Sequence, residues 1–308
     1  MRLVFLGTPG FAVPSLEGVV MAGHQVLAVV TQPDRPSGRG QHAAAPPVKQ
    51  AAQKLGLPVY QPERVRRPEA VEYLRALAPD AMVVVGYGQI IPQSVIDIPP
   101  RGIINVHGSL LPKYRGAGPV QWAILNGETA TGVTTMRIDA GLDTGDMLLK
   151  AETAIGPEET AVELAVRLAE MGAGLLVRTL EGLEAGTIAP EKQNSSQATY
   201  APLLKKEDGA IDWSQPAAAI HNRVRGLQPW PGASTVFRGQ TLHIWRARRL
   251  DAAGTHGRLL SLKPPVVGCG EGALELVEVQ LEGRKRMAAS DFANGQRLAE
   301  NEELGRAS

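Results

Sequence analysis

Short apolar runs, each broken by Gly or Pro, alternate with helical patterns through the first half of the chain. "RLVFLG" stops at Gly-Thr-Pro-Gly, and "FAVPSLEGVVMAG" continues with apolar residues at helical spacing. "HQVLAVVTQ" reads as a second strand. "PPVKQAAQKLG" opens on prolines, which a first helical turn tolerates, and closes on Gly56. "PEAVEYLRALAPD" sets Val71, Leu74 and Ala78 on one side of a helix, and "AMVVVGYG", "GIINVH" and "TGVTTMRI" follow as strands. Unbroken runs such as Met82 to Val85 suit parallel strands covered on both faces. "PEETAVELAVRLAEMGAGLLVRTLEGLEAG" is a long amphipathic helix with an acidic first turn and a stop at Gly186. The alternation predicts a doubly wound, mostly parallel α/β sheet of Rossmann-like type.

The pattern changes after Gly186. Residues 187 to 209 are polar, contain prolines and lack periodicity, so they read as a connector. A short helix around "PAAAIHNRVRGL" comes next, followed by the strand-like segments "ASTVFR", "QTLHIWRARRL" and "ALELVEVQLEG" between Gly-rich turns. This predicts a small OB-like β-barrel. The expected organisation is a domain over 1–188, a linker over 189–206 and a second domain over 207–308.

At 308 residues the chain has room for two domains. Its hydrophobic fraction of 44%, charged fraction of 20% and net charge of +1 are ordinary, so any polyanion site must come from local clustering. Such a cluster exists: residues 214 to 263 hold eight Lys or Arg against one acidic residue, Asp251. Cys269 is the only cysteine, which excludes an internal disulfide and a Cys-based metal cluster. No apolar run reaches the roughly 18 residues of a membrane span, and the N-terminus reads as a strand rather than a signal peptide. A cytoplasmic location without membrane association is expected.

Three segments carry candidate chemistry. "GTPG" at 7 to 10 lacks dinucleotide-fingerprint spacing, and Pro9 removes a backbone donor, so it reads as a tight turn. In "GIINVHGSLLPKYRGAGP" the strand period of two puts Asn105 and His107 on one face, where parallel sheets bind ligands. An imidazole there exchanges protons near neutral pH, and an amide NH2 donates to developing negative charge. A strand-end His also serves as an ordinary packed residue, so both readings stand on composition alone. "RIDAGLDTGDML" offers Asp139, Asp143 and Asp146 in a Gly-interrupted loop. These are acid–base candidates, turn formers or metal ligands, although calcium-loop spacing is absent.

"NVHGSLLPKYRGAGP" and "GVTTMRIDAGLDTGDML" together closely resemble the 10-formyltetrahydrofolate-dependent formyltransferases. The resemblance runs the full chain length. "FLGTPGFAVPSL", "VTQPDRPSGRG", "GLPVYQPERVR", "GLQPWPGA" and "RGQTLHIWRA" match the branch that formylates initiator methionyl-tRNA. The resemblance implies a catalytic centre of Asn105, His107 and Asp143, with Asp139 and Asp146 structural. It implies 10-formyltetrahydrofolate as co-substrate, no metal, and folate contacts from Ser109, Leu110, Leu111 and Pro112, with Gly86, Tyr87, Gly88 and Gln89 contributing mostly through backbone. Two departures are small: Gly10 replaces an acidic residue and Gly108 an Ala, and neither touches the three catalytic positions.

The implied partner is the methionyl initiator tRNA, bound by a chain expected to be monomeric. The long segment 34 to 49, "DRPSGRGQHAAAPPVK", carries Arg35, Arg39 and Lys49, and in the family this loop inserts towards the tRNA acceptor end. In the second domain, Arg223, Arg246 and Arg248 are the candidate phosphate contacts. The alternatives are formyl transfer to a small-molecule amine, hydrolysis of the folate, or a non-catalytic RNA-binding module that leaves the three polar residues idle.

Overall fold

The computed structural model describes residues 1–37, 42–300 and 302–305. The strands in chain order are β1 (Arg2–Gly7), β2 (Gln25–Val30), β3 (Arg35–Ser37), β4 (His42–Ala44), β5 (Val59–Tyr60), β6 (Ala81–Val85), β7 (Ile103–His107), β8 (Ala130–Arg137), β9 (Met147–Ala154), β10 (Ala233–Phe237), β11 (Gln240–Leu250), β12 (Leu259–Leu262), β13 (Pro265–Gly268), β14 (Ala273–Leu281) and β15 (Met287–Ala288). The helices are α1 (Val13–Met21), α2 (Pro47–Lys54), α3 (Pro68–Ala76), α4 (Gln93–Ile96), α5 (Pro119–Leu125), α6 (Ala161–Ala185), α7 (Ala217–Gly226) and α8 (Ala289–Gln296).

These elements divide into two compact units. The first comprises Met1–Pro119, Ala130–Thr153 and Ala165–Ala201; the second comprises Val120–Thr129, Ala154–Leu164 and Pro202–Ser308. The first unit contains a seven-stranded sheet of order β5-β2-β1-β6-β7-β8-β9. β5, β2, β1, β6 and β7 run parallel, and β8 joins β7 antiparallel. The expected doubly wound sheet is therefore present. Its strands read as solid apolar runs because helices cover both faces. Val4, Leu6, Met82, Val84 and Ile103 pack with Val71 and Leu74 of α3 and Val95 of α4. On the opposite face, α6 lies so close to β7 that a Cβ on Gly172 would meet Val106 Cγ1 at 2.8 Å. The order reverses between β1 and β6, the position where open sheets form a ligand crevice at their carboxyl ends.

The features of this unit that sequence reading did not resolve include a hairpin and an edge strand. The 34-to-49 segment contains a small antiparallel hairpin of β3 and β4, with Arg35 opposite Ala44. β9 is also present, an edge strand whose second half alternates between half-buried and exposed residues.

The second unit carries the predicted β-rich domain as an antiparallel sheet of order β10-β11-β14-β13-β12, with β15 beside β14. Irregular pairing at Ile244–Ala247 and Leu259–Ser261 bends the strands, as extra residues in a ladder do. Its core gathers Ile220 and Val224 of α7, Phe292 of α8, and Leu242, Ile244, Leu274 and Val279 from the sheet.

The close approach of α6 to β7 makes a direct test of packing. Gly172→Leu inserts four carbons where the sheet already touches the helix, and should destabilise the protein by about 1–3 kcal/mol. Urea unfolding of the two proteins measures this as a lower midpoint for the variant.

Candidate active site

The carboxyl ends of β1, β6 and β7 lie together because these strands are parallel and in register, Gly7 opposite Val85 and Val84 opposite Asn105. Short polar bonds fix the loops that leave them. Thr8 Oγ1 donates to Tyr87 O at 2.9 Å, and Gln32 Nε2 donates to the same carbonyl at 3.2 Å. The "GTPG" segment is thus a strand-to-helix turn, as expected, and Gly10 begins a one-turn 3-10 helix without any side-chain cap.

His107 ends β7 and is 95% buried. Its Nε2 lies 2.8 Å from Tyr114 O. A carbonyl only accepts, so Nε2 carries a proton and the neutral ring keeps its lone pair on Nδ1. That second nitrogen faces Asp143 Oδ2 at 3.7 Å. The distance allows charge attraction but is too long for a hydrogen bond. Asn105, two residues earlier on the same face, is half-buried. The imidazole is therefore oriented by Tyr114 rather than by Asp143.

Asp143 reaches the ring by an indirect route. The loop between β8 and β9 leaves beside the far end of β7, where Ile138 N donates to Ile103 O at 2.8 Å. It then folds back so that Asp143, in the left-handed region at φ 52°, presents Oδ2 to Gly116 N at 2.8 Å. Asp139 turns inward on its own loop and accepts from Gly141 N at 3.0 Å and Thr144 Oγ1 at 2.7 Å. The structure thus brings together Asn105, His107 and Asp143 and leaves Asp139 as a turn former.

The candidate folate residues divide in two. Ser109 and Leu111 are buried: Ser109 Oγ donates to Lys113 O at 2.6 Å, and Leu111 packs on Met136 and Met147. Thr134 Oγ1 ties this loop down, donating to Ser109 O at 2.7 Å and accepting from Leu111 N at 3.1 Å. Leu110 and Pro112 remain partly exposed. In the other loop, Gly86 and Gly88 take positive φ, and the Gln89 amide holds Val65 N and Glu63 O. Ile90, in the same "GYGQII" stretch, is 91% exposed on this loop.

Of the candidate tRNA contacts, Arg35 is exposed, and Arg39 lies outside the described residues. Lys49 forms an ion pair with Asp34 at 2.7 Å. Hydrogen bonds from Gln61 and then Lys49 hold the Asp34 carboxyl below the usual range. Arg223 is partly buried and donates to Asp208 O. Arg246 and Arg248 stand exposed two residues apart on β11, Arg248 at 3.6 Å from Glu275. Exposed pairs of that kind contribute little, so both guanidiniums remain available.

Comparison with known proteins decides the family. Residues 1–180 match the Formyl transferase model and residues 203–297 match the model of the formyl transferase C-terminal domain. The chain belongs to the formyl transferase family. It is 74% identical over 307 residues to the methionyl-tRNA formyltransferase of Solibacter usitatus, covering 99% of each chain. The methionyl-tRNA formyltransferase of Koribacter versatilis is 60% identical over 311 residues, covering 100% of both. In fold, this formyl transferase also resembles the N-formyltransferase of Helicobacter canadensis, solved with folinic acid and dTDP-3-aminofucose. The TM-score is 0.67 at 19% identity, covering 90% of this chain and 99% of that one. Among the described residues, no helix is long and apolar enough to cross a membrane.

Tyr87 gives this site a pH signature. Its side chain is 1% exposed in the core cluster and its hydroxyl has no hydrogen-bond partner among the described residues. Burial pushes that hydroxyl up to about 12. The unfolded chain ionises it near pH 10, so this contribution to stability is whole below about pH 10 and is lost as pH rises towards 12. Spectrophotometric titration should show a late-ionising tyrosine that Tyr87→Phe removes. A native titration unchanged by that substitution would contradict the burial.

Proposed function

We propose that this formyl transferase moves the formyl group of 10-formyltetrahydrofolate to the α-amine of methionyl initiator tRNA, preparing that tRNA for translation initiation in the cytoplasm. Identity of 74% over the whole chain to a protein of that activity is the observation that carries the reading. The pairing of His107 with Asp143 supports it chemically. The substrate amine is itself the nucleophile. An α-amino group titrates near pH 8 and an adjacent ester lowers that, so the free base is accessible.

The chain's residues then have three tasks. Asn105 donates from its amide NH2 to the oxyanion that forms when the amine attacks the formyl carbon, a charge that fixed donors stabilise strongly. His107 keeps its Nε2 proton on Tyr114 O and exchanges its mobile proton at Nδ1. It takes this proton from the attacking nitrogen and returns it to N10 of the folate as the carbon–N10 bond breaks. Asp143 supplies the negative charge beside Nδ1 that steadies the ring while it holds both protons. Leu110, Pro112 and Ile90 offer apolar surface for the flat folate body, while Ser109 and Leu111 act from behind by holding the loop. The tRNA contacts are Arg35, Arg246 and Arg248, which stand exposed.

Asn105→Ala, His107→Ala and Asp143→Ala should each lower kcat by about 100- to 10,000-fold, with tRNA affinity within about threefold. Formation of N-formylmethionine on charged initiator tRNA, with 10-formyltetrahydrofolate as donor, measures this. Wild-type protein that makes none would remove the reading. tRNA affinity should also fall steeply as salt rises, and Arg246→Ala with Arg248→Ala should flatten the slope. A slope unaltered by both changes would remove these two residues from the contact.

A further inference from the structure

Gln193 lies in the polar stretch after α6, which carries no motif. In the fold its amide sits between the two segments that build the acid–base pair. Gln193 Nε2 donates to Asp143 O at 2.7 Å and to Gly145 O at 2.8 Å. Its Oε1 accepts from Arg115 Nε at 3.0 Å and Arg115 Nη2 at 2.8 Å. Arg115 is 97% buried and is itself anchored through its backbone. Its N–H donates to Thr199 O at 2.8 Å and its carbonyl accepts from Ala201 N at 2.7 Å. The next residue, Gly116, gives its N–H to the Asp143 carboxylate at 2.8 Å.

These contacts form a closed ring. From Asp143 Oδ2 it runs to Gly116 N, back one residue to the Arg115 guanidinium, across Gln193, and onto the Asp143 carbonyl. Both ends of Asp143 are thereby fixed, the carboxylate by Gly116 and the main chain by Gln193. The restraint matters because Asp143 takes φ 52° in a loop with glycines at 141 and 145, which the backbone alone holds poorly.

We propose that Gln193, clamped by the buried Arg115, is a positioning residue that sets Asp143 against His107 Nδ1 for formyl transfer. The inference rests on the reading of Asp143 as part of the reacting centre. Gln193 touches neither substrate in this account; it acts through Asp143. An amide is the group required, because one edge must donate to two carbonyls while the other accepts from a guanidinium.

Four variants of the full chain test this, with kcat and KM measured for methionyl-tRNA formylation. Gln193→Ala should lower kcat about 10- to 100-fold, the scale expected of a misplacement near 1 Å, with KM for both substrates within about threefold. Gln193→Glu keeps and strengthens the Arg115 contact but turns two donors into acceptors facing carbonyls. It should lose at least as much kcat as Gln193→Ala while its thermal midpoint stays near wild type. In an Asp143→Ala background, Gln193→Ala should add less than twofold further loss, since it has nothing left to position. Full activity in Gln193→Glu would show that only the Arg115 charge needs a partner, and would overturn the proposal. Independent, multiplying losses in the double variant would overturn it too. If Asp143→Ala alone retains full kcat, it is the reading of Asp143 that falls. If Asp143→Ala is impaired and Gln193→Ala is not, only the positioning role falls.

Discussion

Three consecutive residues, Tyr114 to Gly116, carry the constraint on which the centre depends. Tyr114 O accepts a hydrogen bond from His107 Nε2, and Gly116 N donates to the Asp143 carboxylate. The two side chains come from segments far apart in the sequence, so neither could find the other without a common support. That support has a local cost. Tyr114 adopts the left-handed conformation at φ 61°, which disfavours an ordinary residue by about 1–2 kcal/mol. Hydrogen bonds from Tyr114 itself and from Arg115 offset it: Tyr114 N donates to Thr199 Oγ1, and Arg115 pairs along Thr199 to Ala201. Gly116 has no alternative, since a Cβ there would stand 2.7 Å from Ala201 O at φ 118°.

In the proposed mechanism the same support sets which proton is mobile. Because a backbone carbonyl occupies Nε2, proton exchange is confined to Nδ1, on the side of the carboxylate. A carboxylate 3.7 Å away stabilises charge on the ring without binding its proton tightly, which suits the proposed role of a group that both receives and returns it. The ring's orientation therefore does not depend on its charge. In many acid–base pairs one hydrogen bond does both jobs; here Tyr114 orients and Asp143 supplies the charge.

How much of this was legible in the sequence follows from the kind of interaction involved. Strands such as Ala81–Val85 were readable because burial on both faces leaves an unbroken apolar run. Asn105 and His107 were readable as a pair because a strand fixes its side-chain period at two. β9 was harder to see, since an edge strand mixes half-buried and exposed positions. Asp143 could be narrowed to three carboxylates by spacing, but selecting one required the family resemblance; the fold-back of its loop has no sequence signature. Gln193 and the Thr199–Ala201 pairing left no trace either, because single hydrogen bonds across eighty residues impose no periodicity. The basic residues show the converse. Lys49 and Arg223 count towards local charge, yet their partners Asp34 and Asp208 O become visible only in the fold.

The tautomer of His107 tests the central claim most directly. Long-range nitrogen–proton NMR correlation on protein labelled with 15N-histidine distinguishes a protonated ring nitrogen from a bare one. At a pH where the ring is neutral, the account predicts a protonated Nε2 and a bare Nδ1 for the resonance lost in His107→Ala. A ring protonated at Nδ1 instead would mean that Tyr114 does not hold the imidazole, and the arrangement of the centre described here would be wrong.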